Sequence, residues 1–227
     1  MNENYDKIKE FIVENKYEIL LTFIILGSLI VFFTRNSSNS SNSSNNNLND
    51  KQKKFLRTLT DMADILKKNN ILYFLSSGTA LGCHREKRFI EHDEDIDLGV
   101  FENVSFTNIL NIVNNSDKFV LKYSWPRNTK IENATELSFI HKETRVKIDI
   151  FKFYKIKDKY MSMAYAGNCD NKPRKRCEWL DPINLIKMDF MGKIYNVPDM
   201  SFIISHYGND WNIPKIESYD NQKSIIN

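Results

Sequence analysis

An uncharged apolar run, ILLTFIILGSLIVFF at residues 19–33, sets the first limit on how this chain folds. It is followed almost at once by NSSNSSNSSNNNLND at residues 36–50. The first stretch cannot rest in water as a lone segment. The second, nearly all Ser and Asn, has no apolar surface to bury and serves as a flexible tether. With its flanks the apolar run reaches the short end of the ~17–25 residues that cross a bilayer, and its FFTRN end is a poor signal-peptidase site. The expected organisation is a cytoplasmic tail at 1–16, one transmembrane signal anchor at 17–34, an Asn/Ser-rich stalk at 35–50 and a folded domain at 51–227. Lys7, Lys9 and Lys16 precede the run and Arg35 alone follows closely. The positive-inside rule therefore puts the N-terminus in the cytoplasm and the domain on the lumenal or extracytoplasmic side, Golgi- or ER-like. Sequons at Asn36, Asn39, Asn42, Asn103, Asn114 and Asn133 matter only under that topology.

The remaining roughly 175 residues suffice for one domain with a core. A hydrophobic content of 41% and an aromatic content of 12% exclude a disordered chain, and a net charge of +3 is too small to argue for nucleic acid as a partner. Three cysteines give no disulfide framework; Cys169 and Cys177 either pair in an oxidising lumen or stay free thiols. Phe55, Leu59, Met62 and Leu66 recur at helical spacing. ILYFLSS, DIDLGVF, FVLKYSW, TELSFIH and VKIDIFKFY read as strands, with KDKYMSMAY a further candidate. GTALGCHREKR reads as a turn into a short helix, FTNILNIVNN as a helix, NCDNKPRKRC as a loop, and residues 201–207 as a closing helix. The predicted class is mixed α+β: a sheet covered by helices, with antiparallel pairs among the middle strands.

HDEDID gathers Asp93, Glu94, Asp95 and Asp97. On a strand, alternation sets Asp93, Asp95 and Asp97 on one side. Like charges so close repel unless a cation sits among them, and an all-oxygen set selects Mg²⁺ or Mn²⁺. An EF-hand is excluded, since Leu98 and Val104 stand where that loop needs Gly and Glu. Upstream, Ser77, Gly78 and Thr79 form a small turn whose amides suit phosphate oxygens. Downstream, Asp149 is a lone carboxylate in an apolar strand, costly without a partner. A small turn, an acidic pair two apart and a third acid on a later strand form a nucleotidyltransferase-like layout. Lys172, Arg174, Lys175 and Arg176 form a basic loop, more simply a solvated charge run than a guide for an anionic ligand.

FLSSGTALGCHREKRFIEHDEDIDLGV closely resembles the signature of the LicD/fukutin family: a G-T-x-L-G turn, an Arg, a basic stretch, a Phe-Ile pair, then an acidic strand. SHYGNDWNIP resembles the family's closing Y-G-x-D-W-x-x-P, and VPDM sits where the family has its V-P strand end. His92 stands where members often have Trp, and Glu94 where Asp is common. The resemblance implies a nucleotidyltransferase-like fold. It also implies transfer of a substituted phosphate, such as phosphocholine (hence phosphorylcholine metabolism) or ribitol phosphate, from a CDP-linked donor to a glycan acceptor. Carried over by position, Asp95 and Asp97 are the paired metal ligands, Asp93 supports them or holds a second ion, and Asp149 is the third carboxylate and a base toward the acceptor. Ser77, Gly78, Thr79 and Arg85 would bind donor phosphate, and Tyr207, Asp210 and Trp211 are candidates for the acceptor side. Two other expectations stay open: a metal-dependent glycosyltransferase, which also uses an acidic pair, and a catalytically inactive glycan-binding accessory protein.

Overall fold

A computed structural model describes residues 48–166 and 175–215. The expected tail, the anchor at 17–34 and nearly all of the stalk lie outside the described residues, as do Cys169, Lys172, Arg174 and the side chains of Lys175, Arg176 and Cys177. Among the described residues, no helix is long and apolar enough to cross a membrane.

Helix α1 spans Asp50–Lys68. The Asn49 side chain accepts the Gln52 N–H at 2.8 Å and caps it, while Lys67 and Lys68 face the negative end of the helix dipole. Phe55, Leu59, Met62 and Leu66 are all buried, the face that helical spacing predicted. Strand β1 is only Phe74–Leu75, because Ser77 already opens helix α2 (Ser77–Arg85). The expected strand over ILYFLSS is therefore mostly a lead-in to a helix. Next come β2 (Asp95–Phe101), helix α3 (Phe106–Asn115), β3 (Phe119–Trp125), β4 (Glu136–His141), β5 (Lys147–Ile156) and β6 (Lys159–Ala166). β7 (Lys175–Asp181) begins inside the stretch read as a loop. The β8–β9 hairpin (Leu185–Phe190, Lys193–Pro198) and helix α4 (Met200–Tyr207) follow.

The main sheet runs β1-β2-β5-β4-β3, with β6 on β5 and β7 on β6. β3, β4 and β5 pair antiparallel, as expected, while β2 and β5 pair parallel. Ile96, Leu98, Ile148 and Ile150 are fully buried. Two polar residues sit on that apolar face. His141 reaches Asp61 of α1 at 3.1 Å, and the Lys152 ammonium lies 4.3 Å from the Phe106 ring centre of α3. These contacts show α1 and α3 covering that side; residues alternating with them carry Asp97, Asp149 and Ser138 to the other. The mixed α+β class, with helices on a mixed sheet, is thus the observed one.

Candidate active site

The parallel pairing of β2 and β5 builds the centre. Its register places Asp95 opposite Lys147 and Asp97 opposite Asp149. Paired residues share a face, so acids far apart in sequence converge: one carboxylate oxygen from each of Asp95, Asp97 and Asp149 lies within 4.8 Å of the others. Asp97 and Asp149 are buried. The Lys147 Nζ sits 2.6 Å from Asp95 Oδ2 and 2.9 Å from Asp149 Oδ2, and Ser138 Oγ donates to Asp149 Oδ1. The strand is stitched to α2 twice. The Asp97 N–H donates to Thr79 Oγ1 at 2.9 Å, and the Ser76 N–H donates to the Asp97 carbonyl at 3.0 Å.

Electrostatics tests whether a cation would fit here. Burial first, then the Asp95 and Asp149 charges, push the Asp97 carboxyl well above the usual range. Burial raises Asp149 as well, partly offset by Lys147. Burial alone would lower Lys147, but the Asp149 and Asp95 carboxylates outweigh it and hold the ammonium charged. With all three carboxylates ionised, the one ammonium leaves a net charge of −2, which a single divalent cation would balance. The donor set is oxygen throughout, as Mg²⁺ or Mn²⁺ requires. The residues therefore fit such an ion, and Lys147 marks the place where positive charge is stable.

Beside this centre lies a cleft of about 170 Å³ whose lining includes Gly78, Arg85, Asp93, Asp95 and Asp97 together with Tyr207, Asp210 and Trp211. Gly78 and Arg85 of the expected donor side and Tyr207, Asp210 and Trp211 of the expected acceptor side thus line one cleft, while Ser77 and Thr79 do not. Asp93 precedes the strand and does not alternate within it as the sequence suggested; β2 starts at Asp95. It enters the cleft from the preceding turn, where burial and the Asp95 charge raise its carboxyl to about 6. That turn is held by Gln52, which donates to the Phe89 carbonyl at 2.8 Å and accepts the Phe89 N–H at 3.2 Å. Gly78 is needed for this approach, because a Cβ there would stand 2.7 Å from Asp93 Oδ2. The Arg85 guanidinium bonds Glu86 Oε1 at 2.7 Å and the Trp211 carbonyl at 3.3 Å, tying α2 to the C-terminal segment. Burial, with the Asp97 and Asp93 charges, keeps the Tyr207 phenol protonated well above its ordinary value. Asp210 pairs with Lys215. Ser77 lines a separate small recess with Trp179 and His206, and adopts φ 41° in the left-handed region. His206 Nδ1 there meets Asp181 Oδ2 at 2.7 Å.

Sequence reasoning missed Lys147 and Ser138. Each is an ordinary strand residue until the register is known; the one available signal was the two-residue spacing of Lys147 from Asp149.

A family profile described as LicD/FKTN/FKRP, nucleotidyltransferase domain, matches residues 70–200. Ribitol-5-phosphate transferase FKTN of Macaca fascicularis is 32% identical over 168 residues, covering 73% of this chain and 34% of that protein. The Homo sapiens protein of the same name is 31% identical over 168 residues, with the same coverage. An uncharacterized protein of Rickettsia typhi (strain ATCC VR-144 / Wilmington) is 27% identical over 124 residues, covering 51% of this chain and 33% of that one. The chain thus spans about a third of the length of the curated relatives it matches. With the profile reaching from the lead-in to β1 as far as the start of α4, through every carboxylate of the centre, the chain belongs to the LicD/FKTN/FKRP nucleotidyltransferase-domain family.

Proposed function

We propose that the chain is a metal-dependent transferase that moves a substituted phosphate, phosphocholine- or ribitol-phosphate-like, from a CDP-activated donor to a glycan hydroxyl. The convergence of Asp95, Asp97 and Asp149 within 4.8 Å carries the reading; membership of a family with ribitol-5-phosphate transferases among its curated proteins supports it. Asp95, Asp97 and Asp149 would hold Mg²⁺ or Mn²⁺, with Asp93 at the edge, and the ion would neutralise charge on the donor diphosphate.

The chain's own residues supply the rest. The amides at the start of α2, beside Gly78 and Thr79, favour an anion. The Tyr207 phenol, kept protonated in the cleft lining, would donate a hydrogen bond to a bound donor. Arg85 supplies positive charge as the leaving group departs. The acceptor oxygen forms its bond to phosphorus as the bond from phosphorus to the CMP oxygen breaks. Asp149, its carboxyl raised and oriented by Ser138, takes the acceptor proton. We also read the apolar run as an anchor and the Ser/Asn tract as a stalk presenting this domain to a lumen.

The test incubates purified chain with CDP-ribitol, CDP-choline and UDP-sugars, each with and without Mg²⁺. Mg²⁺-dependent CMP release, lost in Asp97→Asn and Asp149→Asn, is the expected result. Release of UDP instead would establish the glycosyltransferase, and no metal binding by calorimetry would leave an accessory protein.

A further inference from the structure

The cleft beside the carboxylates draws its lining from α2, the acidic run and the C-terminal segment, and takes nothing from β3 or β4. The opposite flank of the centre has a different chemistry. Tyr123 on β3 pairs with Ser138 on β4, Ser138 with Asp149 on β5, and Asp149 with Asp97 on β2. Paired positions share a face, so these four residues form one row across the sheet. One step along, Trp125 pairs with Glu136 and Glu136 with Phe151. At ~4.8 Å per strand, Tyr123 stands roughly 10 Å from Asp149 on its own face.

β3 ends the strand order, and Tyr123 and Trp125 on it are half-buried. Their rings meet edge to face with centroids 5.8 Å apart. The exposed Arg127 guanidinium lies 5.0 Å from the Tyr123 ring centre and 4.8 Å from that of Trp125, and the exposed Lys122 ammonium lies 5.6 Å from Tyr123. An edge strand needs charge to discourage pairing, which Lys122 alone supplies. Two half-exposed aromatics ordered around a guanidinium fork go beyond that need. They offer flat apolar surface beside several N–H donors, which suits a sugar ring with an apolar C–H face and a hydroxylated rim.

We propose that Tyr123, Trp125 and Arg127 form the acceptor subsite, stacking one sugar ring of the glycan so that its hydroxyl reaches the centre past Asp149. The assignment rests on the glycan-transfer reading above. In-line displacement puts attacking and leaving oxygens on opposite sides of phosphorus. A donor diphosphate in the cleft by Arg85 therefore directs the acceptor to the β4–β3 side. A nucleobase also stacks on aromatics, but the donor's base is tied to a diphosphate on the far side of Asp97. Tyr207, Asp210 and Trp211 then border the donor.

The test reads sugar contact and not turnover, so it stands or falls apart from the reaction. Saturation-transfer NMR is recorded on the full chain in detergent with maltotetraose and chitotetraose as probes. The wild-type chain should transfer magnetisation to ring C–H protons of at least one probe. Tyr123→Ala and Trp125→Ala should weaken that binding by about tenfold, Arg127→Ala, at an exposed site beyond the end of β3, by about threefold, while Tyr123→Phe and Trp125→Phe retain it. No transfer in the wild-type chain to either probe, or equal transfer in wild type and Arg127→Ala with the Ala variants folded, overturns the assignment.

Discussion

Replacing Lys147 by Met isolates the charge balance of the centre. The ammonium lies between Asp95 and Asp149 at 2.6 and 2.9 Å, and the three carboxylate oxygens lie within 4.8 Å of one another. At an effective dielectric of ~20, two unit charges ~5 Å apart repel by about 3 kcal/mol. Removing one partner of a buried pair costs ~3–5 kcal/mol. Asp95 is 31% exposed on its side chain and so contributes less than Asp149 at 5%. The expected loss at neutral pH without divalent ions is about 3 kcal/mol, or roughly 6–12 °C in Tm for a domain of this size. Acidification should return part of it. Carboxyls whose folded values are raised cost stability above those values, and the cost falls as protons bind. Mg²⁺ should restore more, because an ion at a hundred times its Kd stabilises by ~2.7 kcal/mol, and the variant no longer sets an ammonium against it. Thermal unfolding of both proteins with EDTA and across a Mg²⁺ titration measures this. A variant as stable as wild type in EDTA, or an equal Mg²⁺ response in the two proteins, refutes the charge argument.

Other outcomes follow from single contacts. Gly78→Ala should push Asp93 out of the cleft, cutting Mg²⁺-dependent CMP release by ~10-fold or more while Tm moves little; unchanged release would mean that Asp93 has no part in the centre. Thr79→Val removes the acceptor for the Asp97 N–H and should cost ~1–3 kcal/mol in chemical denaturation. Burial alone would raise the Asp61 carboxyl, but hydrogen bonds from Lys118, Arg57 and His141 bring it down to about 2. His141 Nδ1 accepts the Thr144 N–H at 3.0 Å, which leaves Nε2–H to donate to Asp61. This lowered carboxyl contributes about 2 kcal/mol above pH ~4, lost as pH falls toward 2. Asp61→Asn should therefore be less stable at pH 7 and converge with wild type in acid unfolding.

Much of the fold was legible because periodicity and burial agreed. The helical face of Phe55, Leu59, Met62 and Leu66 and the strands DIDLGVF and FVLKYSW sit where their patterns put them. The acids were legible because like charges and a lone carboxylate in an apolar strand demand a partner. The partners themselves were not. Lys147 and Ser138 become site residues only through pairing with distant strands. Asp93 was misplaced onto a strand because alternation continues through a turn that Gln52 and Gly78 shape. β1 was overextended because Leu75 and Ser76 are followed by a helix start held by tertiary hydrogen bonds to Asp97 and not by a sequence cap.

The parallel docking of β2 on β5 makes the centre a record of completed assembly. Asp97 and Asp149 meet in a single register, and a slip of one residue would turn Asp149 toward α1 and α3 and its isoleucine neighbours outward. No early fragment of the chain brings all three carboxylates together, since β5 must be made, cross over and pair before the acids converge. The cation affinity proposed for the centre would thus appear only once the sheet is correctly knitted, and a partly translated or mispaired chain would lack it.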